Sequence, residues 1–177
     1  MEAAIRSGRV KAGDERVFAN NRLVVITPAD NPGHITSLQE LASPGLSLIL
    51  AADAVPLGKN SLIVMQHASP DPEFGAGYQG AVFKNVVSYE ENVKAVLSKI
   101  ILGEADAGIV YASDVPPVEA GKLMQLDIPD PLNVQAAYYL APANDSQVSD
   151  LAQDFIASIL APAGQDTLSR FGFLPVQ

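Results

Sequence analysis

Three segments of the sequence could present hydrogen-bond donors to a small ligand at the ends of predicted strands. The first is Val55-Pro56-Leu57-Gly58, which follows an apolar run from Leu46 to Ala52. Pro is favoured at the first position of a helix, and Gly58 would let a backbone come close to a ligand. A helix that starts here offers unpaired N–H groups and the positive end of its dipole. An ordinary loop leading into a helix is the alternative for this segment.

The second segment, Ser88-Tyr89-Glu90-Glu91-Asn92-Val93, contains a helix start that can be placed in two ways. Ser88 and Glu91 fit the S-x-x-E capping box, which predicts a well-capped helix from Ser88 to Leu102. In that case the N–H group of Val93 is already used inside the helix. If the helix instead starts nearer Glu91, the N–H groups of Asn92 and Val93 are free for an anion. The sequence leaves both placements open.

The third segment places a tyrosine hydroxyl at the end of a buried strand. The strand is predicted at Ala107 to Tyr111, and Ala112-Ser113-Asp114 follow it. A tyrosine can donate one hydrogen bond without adding charge, so Tyr111 is a candidate ligand-binding residue. A core aromatic residue with its hydroxyl at the rim of the core is the alternative.

The elements around these segments alternate between strands and helices, which predicts an α/β fold with a mostly parallel sheet. In such sheets ligands bind outside the carboxyl ends of the strands, where the three segments lie. The predicted strands are Leu23 to Ile26, Leu46 to Ala52, Asn85 to Val87, Ala107 to Tyr111, Leu123 to Ile128 and Ala136 to Ala141, and the predicted helices are Glu2 to Val10, Lys59 to His67, Ser88 to Leu102, Asp150 to Leu160 and Gly164 to Phe171, with a loop from Ala68 to Gly80.

The composition limits the classes of function that this chain can have. The 177 residues are 48% hydrophobic and carry a formal net charge of -9, which argues against nucleic acid as a partner but not against a small anion. The absence of cysteine excludes a thiol nucleophile and a Cys-based zinc site. His34 and His67 stand apart from each other and from spaced carboxylates, so we expect no metal site. The first residues contain no apolar stretch typical of an export signal.

Taken together, the sequence resembles the periplasmic molybdate-binding proteins of ABC importers. The order and spacing of several segments over nearly the whole chain carry the resemblance. These segments are Val17 to Val25, Val55 to Gly58, Glu91 to Leu97, Gly103 to Tyr111 and Gly164 to Pro175.

The resemblance implies a type II periplasmic-binding-protein-like fold with helices on both faces of a mostly parallel sheet. It implies two lobes, with the oxyanion held between them. Residues 1–21 would be a remnant of the first lobe and its connection, and residues 22–134 the second lobe. Residues 135–177 would cross back to supply the C-terminal helices of the first lobe.

The resemblance also implies how the ligand is held. In the second lobe, backbone N–H groups at two helix starts and one tyrosine hydroxyl would bind molybdate or tungstate, with no cofactor. The corresponding residues are Leu57, Val93 and Tyr111, with Gly58 and Asn92 beside them. The implied partner is the membrane permease of an ABC importer, and the implied location is periplasmic or extracellular, with or without a membrane anchor.

One departure from the family pattern generates further expectations. The family's first lobe begins well before the segment seen here, and two serine-bearing loops of its oxyanion site lie in that earlier part. We therefore expect an incomplete first lobe with exposed apolar surface on its C-terminal helices, and a homodimer through this lobe is one hypothesis. Alternatives are a binding protein for another small anion, such as sulfate or phosphate, and a truncated chain with no tight ligand. An enzyme with the same fold is the least favoured alternative, because no catalytic motif is present.

Overall fold

The computed structural model of the chain describes residues 1–176. They form two compact units, Arg22–Val134 and the pair of segments Met1–Asn21 and Gln135–Gln177. Their assignment to the lobes of a binding protein stays a prediction. The strands are β1 (Arg16–Asn21), β2 (Leu23–Pro28), β3 (Leu48–Ala51), β4 (Val86–Glu90), β5 (Ala107–Tyr111), β6 (Leu123–Asp127) and β7 (Ala136–Leu140); the α-helices are α1 (Glu2–Arg6), α2 (Pro56–Ala68), α3 (Tyr78–Lys84), α4 (Val93–Ile101), α5 (Ser149–Leu160) and α6 (Pro162–Arg170); and short 3-10 helices cover Leu38–Ala42, Ala112–Asp114 and Pro117–Lys122.

The unit Arg22–Val134 is built on a mixed five-stranded sheet with the order β4-β3-β5-β2-β6. β3 runs parallel to β4 and β5, while β2 runs antiparallel to both β5 and β6. The prediction of a mostly parallel sheet therefore holds for the direction of β3, β4, β5 and β6, and β2 is the exception. All six residues of β2 are buried, as its continuous apolar run predicts.

Helices cover both faces of this sheet. A Cβ added to Gly108 of β5 would lie 2.9 Å from a methyl carbon of Val96 in α4, so this side of β5 faces α4. Tyr111 lies three residues further along β5 and faces the opposite side, where its hydroxyl contacts Asn60 of α2. The glycine at position 108 thus allows α4 to pack directly on the strand.

The second unit contains a two-stranded antiparallel sheet of β1 and β7, extended by a bridge between Asn20 and Leu174. Helix α5 buries one residue, Ile156, whereas Leu151 is 66% exposed and Phe155 is 61% exposed. Apolar surface on the C-terminal helices was expected from the sequence, and α5 has it.

Two predicted elements differ from the structure. The helix predicted to begin at Ser88 begins at Val93, because Val86–Glu90 forms the edge strand β4. The loop predicted from Ala68 to Gly80 ends in the first residues of α3. The buried side chain of Tyr78 anchors α3, since its hydroxyl donates to the Leu38 carbonyl and its ring packs edge-on against Phe74. These tertiary contacts stabilise a helix start that glycine-rich sequence alone does not predict.

The first turn of α2 packs against the end of β3 through Gly58. A Cβ at this position would lie 2.0 Å from the carbonyl oxygen of Ala52 and 2.6 Å from that of Ala51. Only a residue without a side chain allows this approach. Gly58 therefore fixes where the start of α2 lies relative to the sheet.

We expect Gly58→Ala to destabilise the protein by roughly 1–3 kcal/mol or to prevent folding, because the added methyl group overlaps backbone atoms. Gly80→Ala is the matched control, since a Cβ at Gly80 in α3 meets no atom within 4 Å. That substitution should be neutral or stabilise by about 0.4–1 kcal/mol. Urea unfolding of both variants measures the difference, and equal effects would contradict the packing role of Gly58.

Candidate functional site

Helix α2 begins with two backbone N–H groups that have no acceptor. Val55 is extended, Pro56 occupies the first helical position, and the first helical hydrogen bond runs from the Lys59 N–H to the Val55 carbonyl at 3.2 Å. Within residues 1–176, nothing accepts from the N–H groups of Leu57 and Gly58. Leu57 is 1% exposed, so its side chain packs into the core and does not project toward a ligand. The start of α2 thus offers backbone donors and the positive end of a helix dipole.

Helix α4 has a similar start, and the structure decides between the two placements that the sequence left open. Asn92 is the N-cap residue, and its side-chain oxygen accepts a hydrogen bond from the Ala95 N–H at 3.0 Å. Val93 is the first helical residue. In the described part of the chain the N–H groups of Val93 and Lys94 have no acceptor. Of the two placements, the structure shows the helix start nearer Glu91, and the placement at Ser88 is wrong.

Ser88 instead belongs to a polar cluster that ties β4 to α4. Its hydroxyl donates to Glu90 at 2.5 Å, and the Lys99 ammonium pairs with the same carboxylate oxygen at 2.7 Å. The Lys99 ammonium and then the Ser88 hydroxyl hold the pKa of Glu90 below its usual value, while Glu90 raises the pKa of Lys99. The two charges neutralise each other, which fixes α4 beside its strand without leaving a net charge there.

Tyr111 ends β5 with its hydroxyl beside α2. The residue is 8% exposed, and its hydroxyl oxygen accepts a hydrogen bond from the side-chain amide of Asn60 at 3.0 Å. The sequence analysis did not identify Asn60. Asn60 lies four residues after Pro56, one turn into α2, and residues at this spacing share a helix face. This spacing was the available sequence signal that Asn60 lies on the same face as the first residue of α2.

The strand register brings the three predicted segments to one edge of the sheet. Ala51 at the end of β3 pairs with Glu90 at the end of β4, and Ile49 pairs with Gly108 in β5. The carboxyl ends of these three parallel strands therefore lie side by side. They are followed, respectively, by the start of α2, by the start of α4, and by the 3-10 helix after Tyr111. All five predicted site residues, Leu57, Gly58, Asn92, Val93 and Tyr111, lie at this edge.

Three ionisable side chains lie near the same edge. Arg22, which precedes β2, pairs with Asp127 at the end of β6 at 3.0 Å. Burial raises the pKa of the Asp114 carboxyl, which lies in the 3-10 helix that follows Tyr111. One oxygen of Asp114 is buried and has no hydrogen-bond partner. The edge therefore combines neutral backbone donors with a carboxyl group that burial shifts toward its uncharged form.

Two features are absent from the part of the chain that the structure describes. No three His, Cys, Asp or Glu side chains come together in a way that could hold a metal ion. Among the helices of residues 1–176, none combines the length and the apolar character needed to cross a membrane.

Comparison with known sequences identifies relatives across almost the whole chain. The family model described as bacterial extracellular solute-binding protein matches residues 1–174. The molybdate-binding protein ModA of Mycobacterium bovis is 34% identical over 173 residues, which are 98% of this chain and 61% of that relative. This chain thus spans about three fifths of the length of the curated relatives that it matches.

Comparison with solved structures confirms the predicted fold class. The substrate-binding domain of a putative molybdenum ABC transporter from Clostridium difficile superposes with a TM-score of 0.82 at 22% identity, covering 100% of this chain and 73% of that one. The sulfate-binding protein SubI of Mycobacterium tuberculosis gives 0.79 at 18% identity, covering 99% and 65%. At these identities the likeness concerns the fold alone. With the family match over residues 1–174, it follows that the chain belongs to the bacterial extracellular solute-binding proteins, a family of binding proteins and not of enzymes.

Proposed function

We propose that this chain contributes to binding a tetrahedral oxyanion, molybdate or tungstate, for delivery to an ABC importer. The observation that carries the proposal is the pair of helix starts at one sheet edge. The N–H groups of Leu57 and Val93 lie there without acceptors in the described residues, and Tyr111 ends the neighbouring strand.

Neutral donors suit a tetrahedral dianion. Helix starts bind anions because several backbone N–H groups point the same way and the helix dipole adds a favourable field. Hydrogen bonds to a charged acceptor are stronger than those between neutral groups. In this proposal the Leu57 and Val93 N–H groups donate to oxyanion oxygens, and the Tyr111 hydroxyl donates to a third. Gly58 and Asn92 shape the two helix starts.

The choice of molybdate rests on the named relatives, tungstate is included because it has the same shape and charge, and sulfate is the second candidate. The 34% identical relative is a molybdate-binding protein, which favours the larger oxyanions. A sulfate-binding protein has a similar fold, so the fold does not choose between these ligands. The anions differ in size, and a site of fixed donors that fits molybdate would leave longer, weaker hydrogen bonds to sulfate.

The remaining expectations concern partners and location. The family consists of bacterial extracellular proteins, which supports a periplasmic or other extracytoplasmic location. The permease of an ABC importer is the proposed protein partner, because delivery to a permease is the role of such binding proteins. Neither the family match nor the relatives support the homodimer hypothesis.

Calorimetric titration of molybdate, tungstate and sulfate into the 177-residue chain tests the proposed ligand class. We expect molybdate and tungstate to bind with similar affinity and at least about tenfold more tightly than sulfate, a difference of about 1.4 kcal/mol. Tighter binding of sulfate would favour the second candidate. Absence of binding by all three anions would contradict an oxyanion site in this chain.

The substitution Val93→Pro tests the backbone donor at the start of α4 directly. Proline fits the first helical position, and the extended conformation of Asn92, with φ -158 and ψ 163, suits a residue that precedes proline. The substitution therefore removes the N–H group and leaves the helix intact. We expect molybdate affinity to fall by about 1.5–3 kcal/mol, roughly 10- to 100-fold.

Val93→Ala is the control for this experiment, because it shortens the same side chain but keeps the N–H group. Its affinity for molybdate should stay within about twofold of the unmodified chain, a difference below about 0.5 kcal/mol. Circular dichroism checks that both variants keep their helix content. If the proline variant binds as tightly as the alanine variant, the Val93 N–H group does not hold the ligand.

A further inference from the structure

A pocket lies beside the start of α2, within the unit Arg22–Val134. It is an open pocket of about 480 Å³. The size falls in the range of roughly 300–1,000 Å³ that is typical of sites for small organic ligands. The residues that line it come from β3 and the segment after it, α2, α3 and β4: Leu50, Ala51, Ala52, Asp53, Gly58, Leu62, Phe83 and Tyr89.

The walls of the pocket are mostly hydrocarbon. Its floor contains Leu50 and Ala51, each 3% exposed, and Leu62 and Phe83 are half-buried. Tyr89 is 55% exposed and belongs to the edge strand β4. Large aromatic and aliphatic side chains around a concave space favour a ligand with an apolar body, because its burial removes hydrocarbon surface from water.

Asp53 is the one carboxylate among the lining residues. It is exposed, and no residue within 1–176 forms an ion pair or a hydrogen bond with its side chain. The lining contains no lysine or arginine. A carboxylate attracts a cation, and so do the faces of aromatic rings such as those of Phe83 and Tyr89. The carboxylate and the aromatic walls therefore both favour a positively charged ligand.

A bare tetrahedral oxyanion does not fit this pocket. The volume greatly exceeds that of one small inorganic ion, since a single water takes about 30 Å³. The apolar walls offer few donors, and the Asp53 carboxylate would repel a dianion. The pocket and the proposed oxyanion donors share Gly58 but differ in chemistry.

We propose that this pocket is a separate binding site for a small organic ammonium ion with an apolar, preferably aromatic, body. The body lies between Leu62, Phe83 and Tyr89, and the ammonium group lies near Asp53. The site is independent of the proposed oxyanion function, because an amine can be titrated without any oxyanion present.

Two-dimensional ¹H–¹⁵N NMR of the 177-residue chain, titrated with 2-phenylethylammonium, tests this site. We expect saturable shifts in the amide signals of Leu50, Ala52, Phe83 and Tyr89. The uncharged 2-phenylethanol should bind about two- to fivefold more weakly, which is the range of an exposed charge pair. The anion 3-phenylpropanoate should bind more weakly still.

Two substitutions at exposed positions connect binding to the named groups. Asp53→Asn should weaken amine binding about two- to fivefold and remove the preference for the amine over 2-phenylethanol. Tyr89→Ala should weaken binding of the amine by a similar factor through loss of an aromatic wall. Asp130→Asn and Tyr139→Ala, which replace exposed residues outside the pocket lining, are the matched controls and should leave binding unchanged.

Three results would overturn the assignment. They are the absence of saturable shifts at the lining residues, binding of 3-phenylpropanoate as tight as that of the amine, and amine binding that neither Asp53→Asn nor Tyr89→Ala weakens. None of these results depends on whether molybdate binds, so the two proposals fail or succeed separately.

Discussion

A helix cannot satisfy the first N–H groups of its own backbone, and the arrangement of the unit Arg22–Val134 places two such helix starts at one edge of a sheet. β3 and β4 are adjacent parallel strands, so the helices that follow them both begin at the carboxyl edge. Gly58 brings the start of α2 against the last residues of β3. The ion pair between Glu90 and Lys99 holds α4 beside β4. The candidate site depends on these backbone groups and on the contacts that fix them.

This dependence explains how an acidic chain can contain an anion site. The formal net charge is -9, but charges further away than a Debye length of about 8 Å are screened at physiological ionic strength. The immediate surroundings of the site decide the outcome. There the donors are neutral, Lys99 is neutralised by Glu90, and burial raises the pKa of Asp114, so that the exposed Asp53 carboxylate near Gly58 is the negative charge that the donors must outweigh. The same unit contains an apolar pocket with one carboxylate, for which we propose a cation as ligand. Two sites of one acidic unit are thus proposed to bind ligands of opposite charge, because the groups around each site differ.

Local sequence signals predicted the parts of the fold that burial determines. The continuous apolar runs of β2 and β5 identified buried strands, and the ends of strands identified the three segments of the candidate site. The edge strand β4 was misassigned in part, because its alternating half-buried and exposed residues include Ser88 and Glu90, which also fit a helix cap. Asn92, not Ser88, caps α4. The local pattern does not reveal that Val86–Glu90 pairs with β3, and this pairing keeps Ser88 in a strand.

The contact of Asn60 with Tyr111 could not be predicted, because it joins residues that are far apart in the sequence. The same holds for α3, which depends on the buried contacts of Tyr78. Leu57 and Val93 are proposed to donate through their backbone N–H groups, so the chemistry of their side chains gives no signal for this role. Family resemblance supplied these residues, and the structure supplies the physical reason that their N–H groups are available.

The measurement that tests the central claim most directly is ¹H–¹⁵N NMR of the 177-residue chain during titration with molybdate. A hydrogen bond to an anion moves an amide proton signal downfield, and each backbone N–H group is observed separately. The account predicts that the signals of Leu57 and Val93 move downfield together and follow one saturation curve. Saturable shifts elsewhere, with the Leu57 and Val93 signals unchanged, would contradict the claim that the two helix starts hold the oxyanion.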